Sequence, residues 1–230
     1  MRMASEARRH EFSLALAPLE GANMRWLGDI PAGGAYLEPY LPESVRVIAL
    51  DPVASFGHQA ASGGQTSVVR GAVDRVPLGD GALDAIVSVA GLHHMPDKRP
   101  FYEEAVRLVR PGGRVVICDV EAGSPVDRFL NGFVDTHNPD GHDGVFLDRI
   151  SACQVAEAGL EVCEAAYHAY PWCCHSRQEM VAFCKRLFGL DAPADKINDG
   201  LQEILGVQQG LEGCELNWGL QRIVARVPAE

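Results

Sequence analysis

A chain of 230 residues, 47% hydrophobic and 22% charged, has enough apolar mass for one domain with a full core. Its net charge of −11 opposes binding to nucleic acid or an anionic membrane surface, and no apolar run approaches the ~18 residues of a membrane span. The seven cysteines, odd in number and without a C-x-x-C pair, argue against a disulfide framework and for a reducing cytosol.

The start, Met1-Arg2-Met3-Ala4-Ser5-Glu6-Ala7-Arg8-Arg9, leads into a polar amphipathic stretch rather than a signal-peptide core. Phe12, Ala15, Leu16 and Leu19 then recur at helical spacing, a one-faced helix that packs on the body or acts as a lid. Residues 25–52 carry the most information. Arg25-Trp26-Leu27-Gly28-Asp29-Ile30 reads as a strand closed by an acid, and Pro31-Ala32-Gly33-Gly34-Ala35 as a turn. Tyr36, Leu37, Tyr40 and Leu41 predict a helix that Pro39 and Pro42 keep short or kinked. Val45–Leu50 is a second strand, stopped by Asp51-Pro52. A glycine turn between strand and helix brings backbone N–H groups close to a ligand. An acid about 20 residues further on, at the next strand tip, suits a ribose diol. Asp29 and Asp51 therefore point to an adenosine-type ligand.

Residues 52–64 predict a weak helix at best. Residues 66–73 read as strand three, ending at Asp74, and residues 82–90 as a nearly continuous apolar central strand. Phe101, Ala105, Leu108 and Val109 form a helical stripe, which Pro111-Gly112-Gly113 ends before strand five at 114–120. This alternation predicts a parallel sheet with helices on both faces. Its ligand rim lies at the carboxyl ends of the strands, where Asp29, Asp51, Asp74, residues 88–94 and Asp119 converge. Residues 121–144 break the rhythm with a dense polar set: Asn131, Asp135, His137, Asn138, Asp140, His142 and Asp143. Residues 145–158 predict a helix and 160–170 strand six. Ser176-Arg177-Gln178-Glu179 is a capping box, followed by an apolar face through Met180, Phe183, Cys184, Leu187 and Phe188 that suits a core or a homodimer. Residues 193–205 predict another helix, and 216–227 a last strand whose partial alternation suits an antiparallel member.

Three stretches carry a resemblance. Val76-Pro77-Leu78-Gly79-Asp80-Gly81-Ala82-Leu83-Asp84, then Leu92-His93-His94, then Arg107-Leu108-Val109-Arg110-Pro111-Gly112-Gly113-Arg114 resemble class I S-adenosylmethionine-dependent methyltransferases, over about residues 25–120. The resemblance implies a Rossmann-like, doubly wound, mostly parallel seven-stranded α/β sheet with the last strand antiparallel. Helical caps are expected at 121–144 and 171–210 of one domain. It implies S-adenosylmethionine held by Asp29, Pro31, Ala32 and Gly33 of the glycine loop, by Asp51 with Pro52 at the ribose, and by Asp74 and Arg75 at the adenine. Ser88 and Val89 fall on the methionine side. The family loop reads acid-x-Gly-x-Gly-x-Gly, and here Pro31 and Ala35 replace the outer glycines.

Methyl transfer is an in-line displacement that needs alignment, exclusion of water and, for a hydroxyl nucleophile, a base. His142, His94 and His137 are the base candidates. A metal-assisted version would use Asp119, His137, Asp140 and Asp143. The acceptor is expected to be a small molecule, with Tyr167, Tyr170, Trp172 and Trp218 available as aromatic walls. Two other readings stay open. One is a non-catalytic S-adenosylmethionine-binding or scaffold protein, motivated by Pro31. The other is a nicotinamide oxidoreductase, whose G-x-G-x-x-G turn this chain lacks. Cys173-Cys174-His175 reads as packing rather than as a metal or thiol site, because adjacent cysteines chelate poorly.

Overall fold

The computed structural model describes residues 6–53, 64–210 and 213–229; the weak helix expected over 52–64 lies almost wholly outside them. Helix α1 (Arg9–Leu16) precedes β1 (Trp26–Asp29), β2 (Arg46–Asp51), β3 (Thr66–Arg70) and β4 (Leu83–Val89). Then come α2 (Arg99–Leu108), β5 (Val109–Asp119) and a helical run, α3, from Pro125–Arg128 through a wider π turn (Phe129–Val134) to Asp135–His137. Helix α4 (Ser151–Glu157), β6 (Glu161–Cys174), α5 (Arg177–Leu187), α6 (Ala194–Gly200), β7 (Val207–Gly210) and β8 (Gly213–Arg226) complete the chain. The sheet order is β3-β2-β1-β4-β5-β8-β6, with β7 on β8. Strands β1 to β5 pair in parallel, and β8 runs antiparallel between β5 and β6.

Successive residues of a central strand face opposite sides. In β4, Ala85 and Val87 point to a core shared with Phe12, Ala15 and Leu16 of α1, while Ile86 points to one shared with Phe101 and Leu108 of α2. Both faces are thus covered, as an almost wholly apolar parallel strand requires.

The motif residues at 76–84 and 107–114 are held to one another. Glu104 accepts from Val76 N (2.7 Å), and Arg107 donates to Glu104, to Asp80 (2.8 Å) and to the Leu78 carbonyl (2.8 Å). Asp84 accepts from the backbone N of Arg25 (2.7 Å) and Trp26 (2.8 Å) and from Arg110 (2.6 Å), fixing the start of β1 beside β4. A Cβ on Gly113 would lie 2.5 Å from the Asp84 carbonyl oxygen, so only glycine fits there.

Several boundaries differ from the sequence reading. No α-helix joins β1 to β2, only a single 3-10 turn (Glu38–Tyr40), because Pro39 and Pro42 deny the segment donors. Strand β5 begins at Val109, since that residue pairs with Leu83 and the register shift is absorbed before Arg114. An eighth strand, Val207–Gly210, too short and polar to be read from sequence, pairs with β8 residues 213–216. Strand β6 runs on to Cys174 rather than stopping at 170, so the expected cap boundary at 171 falls inside a strand.

That last difference shapes the molecule. Asp119, the final residue of β5, pairs with Gln221, which also pairs with Tyr167. Residues 168–174 and 213–220 therefore carry the β6–β8 ladder past the tip of β5, by roughly 20 Å at about 3.3 Å per residue. Helices α3 and α5 pack on this overhang, and α6 packs on α5. Phe129 meets Phe188 and Trp218 at 5.4 and 6.4 Å, Asn138 Nδ2 donates to the Phe188 carbonyl (2.8 Å), and Asp191 N donates to the His137 carbonyl (2.7 Å). Met180, Val181, Phe183 and Cys184 of α5 are buried here. Most of the apolar face that suited a core or a homodimer thus packs into the chain's own core, with Leu187 left exposed.

Helix α1 packs rather than dangles. Glu11, fully buried, accepts from Arg8, from Trp172 Nε1 (2.9 Å) and from Tyr170 Oη (3.2 Å). A buried polar group left without such partners would carry a large desolvation cost.

Candidate active site

Parallel pairing puts the β1 and β2 tips side by side. Asp29 is buried at 3% exposure and Asp51 at 7%. Asp51 Oδ2 accepts from Gly33 N (2.9 Å) and Oδ1 from Val53 N (2.7 Å), which fixes the glycine turn over the end of β2. Ala32 N donates to the Leu50 carbonyl at 2.9 Å. Burial, then the neighbouring Asp51, hold the Asp29 carboxyl well above the usual carboxylate range. Ala35 sits at φ +55°, the backbone conformation the family's glycine would adopt without strain.

The β4 and β5 tips carry the second half of the rim. Asp119 is buried at 1% exposure. It accepts from His93 N (3.1 Å) and Val120 N (2.7 Å), and Oδ1 lies 2.7 Å from His93 Nδ1. Ring centroids of His93 and His94 are 4.2 Å apart, and those of His142 lie 5.4 and 5.6 Å from them. His142 arrives from the polar loop after α3. Its Nδ1 lies 2.9 Å from Asn131 Oδ1, and its backbone N donates to Asp135 (2.9 Å). Asn131 also clamps Gly144, through N and O, at 2.8 Å each. Burial, then the adjacent His93 and His142, push His94 down to about 4, although it keeps an exposed edge; burial, then His93, push His142 down. The two halves touch: a Cβ on Gly91 would lie 2.5 Å from Pro31 Cγ, so the histidine loop rests on the glycine turn.

The sequence-predicted residues distribute as follows. Asp29, Pro31, Ala32, Gly33, Asp51, Ser88 and Val89 lie at the tips of β1, β2 and β4. Asp74 and Arg75 do not end a strand. Strand β3 stops at Arg70, and both residues are exposed in the turn beyond it. His94 and His142 come together. His137 instead meets Phe133 edge to face, with ring centroids 4.5 Å apart. The metal set of Asp119, His137, Asp140 and Asp143 does not assemble: Asp119 is engaged by His93, and among the described residues the ligand atoms that gather within 4.8 Å of one another belong to His93, His94 and His142. His93 and Asn131 were missed as site residues, although His93 stands beside His94 in the rim segment. Of the proposed aromatic walls, Tyr170 and Trp172 bond Glu11, Tyr167 is exposed, and Trp218 stacks on Trp172 at 3.9 Å. The Cys173-Cys174-His175 stretch lines a separate cavity of about 640 Å³ with Glu6, His10 and Cys214, away from the rim acids.

Residues 29–117 match the model of a methyltransferase domain. A demethylmenaquinone methyltransferase of Mycolicibacterium vanbaalenii is 39% identical over 62 residues, 27% of this chain and 26% of that protein. The chain thus spans about a quarter of that relative's length. A demethylmenaquinone methyltransferase of Thermobifida fusca is 28% identical over 167 residues, 63% of this chain and 69% of the relative. Among solved structures, a SAM-dependent methyltransferase from Thermotoga maritima superposes with a TM-score of 0.61 at 15% identity, covering 98% of this chain and 89% of that one. With the acid pair, the glycine turn and the antiparallel last strand, these matches show a chain similar to S-adenosylmethionine-dependent methyltransferases, its methyltransferase-domain match lying over residues 29–117.

Proposed function

We propose that the protein transfers a methyl group from S-adenosylmethionine to a hydroxyl of a small aromatic acceptor. The observation that carries this is the junction of two half-sites on one rim: an acid pair under a glycine turn, and a cluster of imidazoles beside it. The buried Ser88 Oγ and Asp29 Oδ2 have no protein partner among the described residues, which fits polar groups kept for a cofactor. Asp51 would hold the ribose diol. The glycine turn would lie along the sugar, and Ser88 with Val89 would border the methionine side. The acids suit a cationic sulfonium ligand.

When bound, S-adenosylmethionine supplies an electrophilic methyl group, whose transfer forms an O–C bond while the C–S pair returns to sulfur. The chain does the rest. His94 or His142 accepts the hydroxyl proton, since both imidazoles are held unprotonated at neutral pH. The β6–β8 overhang and the loop after α3, which carries His142 to the rim, close the acceptor side and limit water. The names of the matched relatives, demethylmenaquinone methyltransferases, support an aromatic acceptor. The acidic surface speaks against nucleic acid as the acceptor. No helix among the described residues is long and apolar enough to cross a membrane. No disulfide joins the cysteines of the described residues, which supports placing the protein in a reducing cytosol.

The test is calorimetric titration with S-adenosylmethionine, followed by methyl-tritium transfer to a panel of phenols and hydroquinones. Micromolar to tens-of-micromolar binding and labelled product are expected. No binding at millimolar cofactor removes the reading. Binding without turnover on any acceptor favours the scaffold alternative.

A further inference from the structure

We infer that His93, His94 and His142 form a binding site for a divalent transition metal of the zinc class, with an open position facing the acceptor. This deepens the reading above, because it lies on the same rim, and it uses a ligand set that sequence spacing did not suggest.

Three features make this a built site rather than a chance cluster. The first is distance: one candidate ligand atom from each histidine lies within 4.8 Å of the other two. Nitrogens bound tetrahedrally to zinc at about 2.0–2.1 Å stand about 3.4 Å apart, so side-chain rotations that close the triangle by about 1.5 Å suffice. The second is orientation. Asp119 Oδ1 holds His93 Nδ1 at 2.7 Å, and Asn131 Oδ1 holds His142 Nδ1 at 2.9 Å. Each acceptor oxygen fixes the proton on Nδ1 and leaves the Nε2 lone pair for a ligand. A carboxylate or amide oxygen behind a ligating imidazole is the usual support of protein metal centres. Asn131 is itself locked by Gly144, so this support is rigid. The third is place: His93 is buried, His94 is exposed and His142 lies between, so the triangle opens outward at the mouth.

Three imidazoles with a fourth position open form a donor set for zinc, and for cobalt, nickel or copper ions, but not for magnesium. An acceptor hydroxyl in the open position would be acidified by the ion. Its proton would then leave to solvent, because the three nitrogens are occupied. The base chemistry and the metal chemistry are thus two ways for one cluster to ionise the same hydroxyl.

The experiment uses EDTA-treated full-length protein titrated with Co²⁺ and followed by visible absorption. A 1:1 complex with intense four-coordinate bands between about 500 and 650 nm, displaced by one equivalent of Zn²⁺, is expected. His142→Ala and His93→Ala should each weaken Co²⁺ binding by more than a hundredfold. Asn131→Ala, which leaves all three ligands in place, should weaken it by about 10- to 100-fold. His142→Ala sits in a partly exposed loop, and its circular dichroism reports whether it folds. No 1:1 band up to 100 µM Co²⁺ overturns the inference. So does a band that His142→Ala leaves unchanged, which would place the ion elsewhere, for instance at Cys173 and Cys174. Titration with S-adenosylmethionine is read separately. Cobalt binding without cofactor binding keeps the metal site and removes the methyl-transfer reading, and the reverse keeps the methyl-transfer reading and removes the metal site.

Discussion

Asp51 offers the sharpest perturbation. Its carboxylate accepts from Gly33 N at 2.9 Å and from Val53 N at 2.7 Å, one bond to each oxygen. Each carboxylate oxygen has two lone-pair sites, so one remains on each for the two hydroxyls of a ribose. Hydrogen bonds to a charged group contribute about 1.5–3 kcal/mol each, giving at most about 3–6 kcal/mol for the pair. Water replaces part of this in the variant, so Asp51→Ala should raise the dissociation constant for S-adenosylmethionine by about 10- to 1,000-fold. Asp51→Asn keeps an acceptor for Gly33 and loses the charge, and should fall between the two. The fold should survive, because removing Asp51 also removes a charge that disfavours ionised Asp29. Isothermal titration with S-adenosylmethionine and with S-adenosylhomocysteine, alongside circular dichroism, measures this. A folded Asp51→Ala protein that binds both within twofold of the native affinity would falsify the assignment of the diol to this acid.

Three further outcomes are expected. Asp29 is buried with its folded pKa raised, so its contribution to stability is present below the unfolded value near 3.9 and is lost as pH rises through the folded pKa. Asp29→Asn does not titrate. Its melting temperature relative to native should therefore climb from pH 4 upward and then level off, whereas a difference independent of pH would contradict the burial argument. Glu11→Ala leaves Arg8, Trp172 Nε1 and Tyr170 Oη without their shared acceptor. It should cost about 3–5 kcal/mol, a fall of roughly 6–20 °C in melting temperature for a chain of this size. A fall under 3 °C by calorimetry would mean that α1 is not docked as described. Ala35→Gly removes left-handed strain of about 1–2 kcal/mol at φ +55° and adds about 0.5–1 kcal/mol of unfolded-chain freedom. A net gain of up to about 1.5 kcal/mol in urea denaturation is expected, and a loss would show that the turn does not hold that conformation.

The parallel half of the sheet was legible because its signals are local. Leu83–Val89 is a nearly continuous apolar strand, and Asp29 and Asp51 end their strands in neighbouring positions. What the sequence did not reveal depended on pairing between distant residues. Nothing in Tyr170-Pro171-Trp172-Cys173-Cys174 says strand, since a proline and two cysteines interrupt the pattern. It is one because β8 runs opposite it through Cys214. Val207–Gly210 is a strand for the same reason: β8 past the tip of β5 has an unpaired edge, and a short polar segment suffices to cover it. Asp74 shows the converse error. It follows an apolar run and reads as a strand tip, yet β3 lies at the sheet edge and ends four residues earlier at Arg70.

The histidines carry the same lesson into chemistry. His137 and His142 are equally polar residues of one excursion and cannot be ranked by spacing. What separates them is that Asn131, one and a half turns before His137, reaches across the loop to His142 and Gly144. That clamp turns His142 toward the β4 tip, while His137 is left edge to face against Phe133. The cluster is therefore made by one amide acting across the loop and one carboxylate, Asp119, acting from the end of β5. Both partners belong to elements whose positions are fixed by the sheet and the overhang. The rim's chemistry thus follows from the strand ladder: extend β6 and β8 past β5, pack α3 against the extension, and the loop after α3 falls beside the loop after β4 with three imidazoles between them.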